Sequence, residues 1–176
     1  DLVEKSMQAL GTEIIRVPGR DGYGDILKAK TSWGHPGEEK GILVLSHLDT
    51  VHPMGTINDP LPWKWEGNRI QGPGVYDMKA GAHMAYYAFQ HLVRQGKSSK
   101  LPITFLYVPE EEVGSPTSQA MIEDEAKKHK YVLVTEPARD GNKCVTERKG
   151  SGRFQMRALG RQAHSGLRHQ DGRSAI

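Results

Sequence analysis

The sequence predicts an α/β fold built on a mostly parallel sheet with helices on both faces. Three short apolar runs, at residues 42–45, 103–108 and 131–134, have the length and unbroken hydrophobicity of strands buried on both sides. Segments with helical spacing separate them, which gives strand, helix, strand, helix, strand. Each apolar run is followed at once by residues that carry chemistry, as expected at the carboxyl edge of an open α/β sheet.

The first run, Ile42-Leu43-Val44-Leu45, leads into Ser46-His47-Leu48-Asp49-Thr50. A loop then reaches Gln71-Gly72-Pro73-Gly74-Val75-Tyr76-Asp77, whose glycines allow close backbone approach before a helix over residues 79–95. In that helix Met84, Ala85, Ala88 and Leu92 recur at helical spacing. The second run, Ile103 to Val108, leads into Pro109-Glu110-Glu111-Glu112. Ser115-Pro116 offers a cap and a first-turn proline for a second helix over residues 117–130. The third run, Tyr131 to Val134, leads into Thr135-Glu136-Pro137.

Each of these pieces alone has a plainer reading. Three consecutive glutamates read as a solvated charge run, an isolated histidine as a hydrogen-bonded structural one, and Glu-Pro as the end of a strand. Their joint placement after three successive strands is what points to a site. Carboxylates gathered in one crevice repel one another unless a cation compensates. One imidazole with several carboxylates and no thiolate suits zinc, with manganese or cobalt as substitutes, and Asp77 is the best candidate to bridge two ions. His83, His91 and His129 fall in the helical segments and His35, His52 and His169 in polar loops, so none of these is assigned to metal.

Composition excludes several other classes. The chain has 176 residues, 36% hydrophobic and 26% charged, within the range of ordinary globular chains. Its apolar runs are far shorter than the ~20 residues of a membrane-spanning helix, so no membrane partner is expected. A net charge of +3 comes with arginines bunched at Arg148, Arg153, Arg157, Arg161, Arg168 and Arg173. No aromatic platform or binding motif accompanies them, so a solvated or anion-binding face is expected rather than a nucleic-acid partner. The single Cys144 has no partner for a disulfide or a thiolate metal site and is read as structural. Localisation stays open: the cytoplasm is slightly favoured, with secretion or periplasmic export the expectation if a signal segment ahead of Asp1 has been removed.

Five stretches in order resemble the dinuclear zinc carboxypeptidase and deacylase family, which includes glutamate carboxypeptidase, acetylornithine deacetylase, succinyl-diaminopimelate desuccinylase and aminoacylase. They are S-H-L-D-T-V at 46–51, G-P-G-V-Y-D-M-K at 72–79, E-E-E-V-G-S at 110–115, T-E-P at 135–137 and G-R-Q-A-H-S-G at 160–166. The resemblance implies that His47, Asp77 and Glu136 hold one zinc and that Asp77 and Glu112 hold a second. It makes Asp49 the carboxylate that orients the His47 imidazole, Glu111 the general base, and His164 a transition-state donor supplied from the lid of a partner subunit. It also implies a cis peptide between Asp77 and Met78.

The same resemblance implies domain organisation and substrate. Residues 1–148 are expected to form the N-terminal part of the catalytic domain. Residues 149–176 are expected to begin an α+β lid and dimerisation domain, entered through Lys149-Gly150-Ser151-Gly152 and followed by a strand with alternating Phe154, Met156 and Ala158. The rest of the lid, the second half of the catalytic domain and a further histidine ligand are expected beyond Ile176. On that expectation the chain alone holds one metal more firmly than the other and is itself inactive. The expected reaction is hydrolysis of an amide in C-terminal glutamate peptides or N-acyl amino acids, by a homodimer. The alternatives are an acetylornithine deacetylase-like deacylase and a catalytically silent binding module that keeps the fold.

Overall fold

A computed structural model of the chain describes residues 1–37 and 40–175. It divides into two compact units, residues 1–138 and 139–176. The expected crossing at 149–152 lies inside the second.

The first unit is built on a five-stranded mixed sheet. In chain order its elements are α1 (Leu2–Gln8), β1 (Glu13–Val17), β2 (Ile26–Lys30), β3 (Gly41–His47), the hairpin β4 (Lys64–Glu66) and β5 (Arg69–Gln71), α2 (Ala80–Arg94), β6 (Ile103–Val108), α3 (Gln119–Lys128) and β7 (His129–Val134). The strand order is β1-β2-β6-β3-β7. β3 lies parallel to both β6 and β7, which are the three runs read from the sequence. β1 and β2 extend the sheet in antiparallel fashion beyond β6.

Helices cover both faces. On one side Met7 of α1 and Ala82 and Phe89 of α2 pack on Leu27, Ala29, Val44, Phe105 and Tyr107. The Phe89 ring meets Phe105 at 5.2 Å and Trp33 at 5.1 Å between centroids, within the range of favourable aromatic pairs. On the other side Met121, Ile122 and Ala126 of α3 pack on Ile26, Leu43, Leu106 and Val108. Leu43 and Leu106 are wholly buried, one from each neighbouring strand, and each such side chain contributes about 1.5–3 kcal/mol relative to exposure.

Five expectations need correction. β7 is an edge strand whose Tyr131, Val132, Leu133 and Val134 are all exposed, not a strand buried on both faces. Apolar content reports what a strand could bury, not which neighbours cover it. His129 opens β7 instead of lying in a helix, and its ring bridges the Glu125 carbonyl and the Thr104 hydroxyl. The helix after Ser115-Pro116 starts only at Gln119, with no side-chain bond from its N-cap Ser118, because another residue supplies the acceptor there. No strand forms over Phe154, Met156 and Ala158, where Phe154 and Met156 are almost fully exposed. Alternation yields a strand only beside a neighbour that can pair with it, and the second unit, as described, has only isolated bridges, Arg139 with Lys143 and Arg161 with Arg173. Cys144 is exposed, so it has no packing role.

Candidate metal centre

The parallel pairing of β3 with β6 and β7 sets the site. In register His47 stands opposite Val108, the last residue of β6, and Leu45 opposite Val134, the last of β7. The segments that follow therefore leave the sheet side by side. His47 is 1% exposed at the end of β3. Its backbone N–H donates to Met78 Sδ at 3.1 Å, tying it to the loop that bears Asp77. Ser46 and Thr135 share a hydroxyl hydrogen bond of 2.8 Å, which anchors the residue ahead of Glu136 to β3.

Two glycines make room for this convergence. Gly74 has φ +66, and a Cβ there would meet Thr50 Cγ2 at 2.3 Å and Lys79 Nζ at 2.7 Å. A Cβ on Gly81 would stand 1.8 Å from the Thr135 carbonyl oxygen, so only glycine lets the start of α2 lie against the segment leading to Glu136. Between them a wide helical turn over Val75–Lys79 breaks at Asp77, whose φ of −117° and ψ of 103° are extended. The Asp77–Met78 peptide is cis.

Around the imidazole the carboxylates are close. His47 Nε2 lies 3.1 Å from Asp77 Oδ1, 3.5 Å from Glu136 Oε1 and 4.0 Å from Glu111 Oε2. His47 Nδ1 lies 3.3 Å from Asp49 Oδ1 and 3.2 Å from the Asp49 carbonyl oxygen. A proton on Nδ1, facing Asp49, leaves the Nε2 lone pair toward the other carboxylates. Two overlapping triads, His47–Asp77–Glu112 and His47–Glu111–Glu136, each bring one ligand atom per residue within 4.8 Å of one another. Glu111 and Glu112 thus both stand within ligand reach, and position alone does not separate a base from a ligand.

Asp49 also has a task that its sequence position did not disclose. Its Oδ1 accepts the backbone N–H of Glu111 at 3.2 Å and its Oδ2 that of Glu112 at 3.0 Å. The same carboxylate therefore faces the imidazole and the turn that carries both glutamates. Glu110 is the residue that sequence reasoning missed. It is 1% exposed, and its Oε1 accepts hydrogen bonds from the Thr117 N–H, the Thr117 hydroxyl and the Ser118 N–H. The signal was present in the acidic residue shortly before a Thr-Ser pair at a helix start, but the three identical glutamates hid it.

Electrostatics shows what the cluster needs. Burial raises the Glu112 carboxyl above the usual carboxylate range, and the neighbouring Asp77, Glu111 and Asp49 charges add to it. Glu136 is raised in the same way, by burial first and then by Asp77. Burial pushes His47 down, yet the hydrogen bond to Asp77 and the charges of Asp49, Glu136 and Glu111 carry it above its ordinary value. Crowded together without a cation, these groups take up protons more readily than they would in isolation. One imidazole nitrogen and several carboxylate oxygens in mutual reach form a donor set that fits divalent ions of borderline hardness.

The model of peptidase family M20/M25/M40 matches residues 43–157, a span that contains every one of these residues. The chain belongs to that family. It is 33% identical over 138 residues to carboxypeptidase G2 of a Pseudomonas species, covering 78% of this chain and 33% of that protein. It is 25% identical over 175 residues to succinyl-diaminopimelate desuccinylase of Buchnera aphidicola, covering 93% of this chain and 44% of that one. The family fold recurs in aminopeptidase PepT of Bacillus cereus, with a TM-score of 0.70 and 20% identity over 99% of this chain and 47% of that one. Human carnosine dipeptidase 1 gives a TM-score of 0.65 at 16% identity over 78% of this chain and 32% of that one. The chain spans about a third of the length of most of the curated relatives it matches.

His164 belongs to the second unit. There its Nδ1 accepts the Gly166 N–H at 3.2 Å and its carbonyl accepts the Arg168 N–H at 2.9 Å. Among the described residues no helix is long and apolar enough to cross a membrane.

Proposed function

We propose that the chain carries the metal centre and general base of a two-zinc amide hydrolase, with cobalt or manganese as substitute ions. The observation that supports this reading is the meeting of His47 with Asp77, Glu111, Glu112 and Glu136 at the carboxyl edge of β3, β6 and β7. His47, Asp77 and Glu136 would hold one ion, and Asp77 and Glu112 the other. When bound, such ions lower the pKa of a water and polarise the scissile carbonyl. Glu111 accepts the proton of the attacking water as its oxygen adds to the amide carbon, and returns it to the nitrogen as the C–N bond breaks. Asp49 keeps the His47 imidazole in one tautomer and orientation throughout.

The substrate we propose is a C-terminal glutamate peptide or an N-acyl amino acid. The likeness to carboxypeptidase G2, higher in identity than that to the desuccinylase, favours the peptide over the N-acyl amino acid. Residues 149–176 would begin a lid through which two copies associate, with His164 donating to the oxyanion of the partner's site. The test is turnover of C-terminal glutamate peptides and N-acyl amino acids, acetylornithine included, by the intact gene product. Hydrolysis that is lost on chelation and restored by zinc supports the reading. Hydrolysis that survives complete chelation, or a metal-loaded protein that cleaves no member of the panel, overturns it.

A further inference from the structure

Three adjacent glutamates lie in the turn after β6, and they do not face the same way. Glu111 and Glu112 are exposed and part-buried, and both reach the ligand triads. Glu110 turns inward and is 1% exposed. Its Oε1 accepts from the Thr117 N–H at 3.0 Å, the Thr117 hydroxyl at 2.8 Å and the Ser118 N–H at 2.7 Å, all just ahead of α3. Its carbonyl accepts the Ser115 N–H at 2.9 Å, and that of Glu111 accepts the Gly114 N–H at 2.8 Å. The loop from 110 to 118 is therefore closed on itself by the side chain and carbonyl of Glu110, with the Glu111 carbonyl adding one further bond.

A second grip acts on the next two residues. Asp49 takes the backbone N–H groups of Glu111 and Glu112, while Glu110 is held at the start of α3. A solvated charge run would not bury its first member, and an ordinary helix cap would come from Ser118, whose hydroxyl makes no such bond. The Glu110 Oε2 and Ser118 Oγ atoms are buried without a hydrogen-bond partner among the described residues, so this burial costs free energy that a simple cap would not require.

We propose that Glu110 is a positioning residue for the metal centre, which acts through Glu111 and Glu112 by fixing the turn between β6 and α3. The proposal rests on the reading that those two glutamates serve as base and ligand. It differs from a purely structural cap, which would stabilise α3 and leave the centre's affinity unchanged.

The experiment uses the intact gene product and measures zinc affinity by calorimetric titration, the visible spectrum of the cobalt form, and kcat and KM per folded molecule well below the melting temperature. Glu110→Ala should weaken zinc binding about 10–100-fold, alter the cobalt spectrum and lower kcat by a similar factor at near-constant KM. Glu110→Gln keeps an acceptor for the three donors and should stay within about threefold of the parent on each readout. If Glu110→Ala does not fold, Thr117→Val removes one of the three bonds and should weaken zinc binding about threefold or more. A lower melting temperature with unchanged zinc affinity and unchanged cobalt spectrum would reduce Glu110 to a cap of α3 and overturn the proposal. A parent that binds zinc but hydrolyses nothing sinks the functional reading, while the zinc and cobalt measurements still decide the role of Glu110. A parent that binds no divalent ion overturns both.

Discussion

The Oδ2 atom of Asp49 accepts the backbone N–H of Glu112 at 3.0 Å, while Oδ1 of the same carboxylate stands 3.3 Å from His47 Nδ1. The end of β3 and the turn after β6 are thereby locked through one side chain. Asp49→Asn puts an amide N–H against either the imidazole N–H or a backbone N–H, since both oxygens serve as acceptors. Zinc affinity and kcat should each fall about 10–100-fold. Isothermal titration with zinc beside steady-state kinetics checks this, and parent-like affinity would mean that the His47 contact is incidental.

Glu111 and Glu112 should separate by their metal content. Glu111→Gln should lower turnover about 10²–10⁴-fold with zinc content close to that of the parent. Glu112→Gln should lose zinc together with activity. Atomic absorption on both variants decides the matter, and loss of metal from Glu111→Gln alone would exchange the two roles.

Gly81→Ala tests the approach of α2 to the Glu136 segment. A methyl placed 1.8 Å from the Thr135 carbonyl oxygen forces one of them to move. The substitution should destabilise the fold by about 1–3 kcal/mol, as overpacking does, and weaken zinc binding because Glu136 follows Thr135 directly. Urea unfolding of the metal-free protein measures the first effect and zinc titration the second. Unchanged stability would show that the backbone here yields without cost.

The clustered groups also set a pH dependence for the metal-free protein. Glu112, Glu136 and His47 all have folded values raised above their ordinary ones, so the folded state binds more protons than the unfolded state. Their contribution is complete below the ordinary values, about 4.3 for glutamate and 6.5 for histidine, and is lost as pH rises through the raised ones. Glu4 and Asp25, lowered by hydrogen bonds from Arg16, act in the opposite sense and below the carboxylate range. Zinc displaces the protons, so its apparent affinity should rise with pH. The gap between melting temperatures of zinc-loaded and metal-free protein should widen from about pH 5 to pH 8. A gap that narrows over that window would contradict the assignment.

Much of this was legible in the sequence because the parallel core is local in its signal. β3, β6 and β7 announce themselves as apolar runs, and the residues after them land together because parallel strands share a carboxyl edge. β1, β2 and the β4–β5 hairpin were not identified, since runs such as Ile26-Leu27-Lys28-Ala29-Lys30 mix apolar and charged residues without a clean period. The exposure of Tyr131 to Val134 depends on what lies beside β7, which no property of those residues states. The second task of Asp49 depends on backbone N–H groups, which carry no sequence signature, and the inward turn of Glu110 toward Thr117 and Ser118 was masked by two identical neighbours.

The most direct test of the metal centre is anomalous scattering at the zinc edge from crystals of the zinc-loaded intact gene product. The account predicts two peaks about 3.5–4 Å apart. One should lie about 2.0–2.1 Å from His47 Nε2, both should be bridged by Asp77, and Glu136 and Glu112 should each bind one ion at about 2.0–2.2 Å. Zinc bound elsewhere in the molecule, with His47 and these carboxylates uncoordinated, would contradict it.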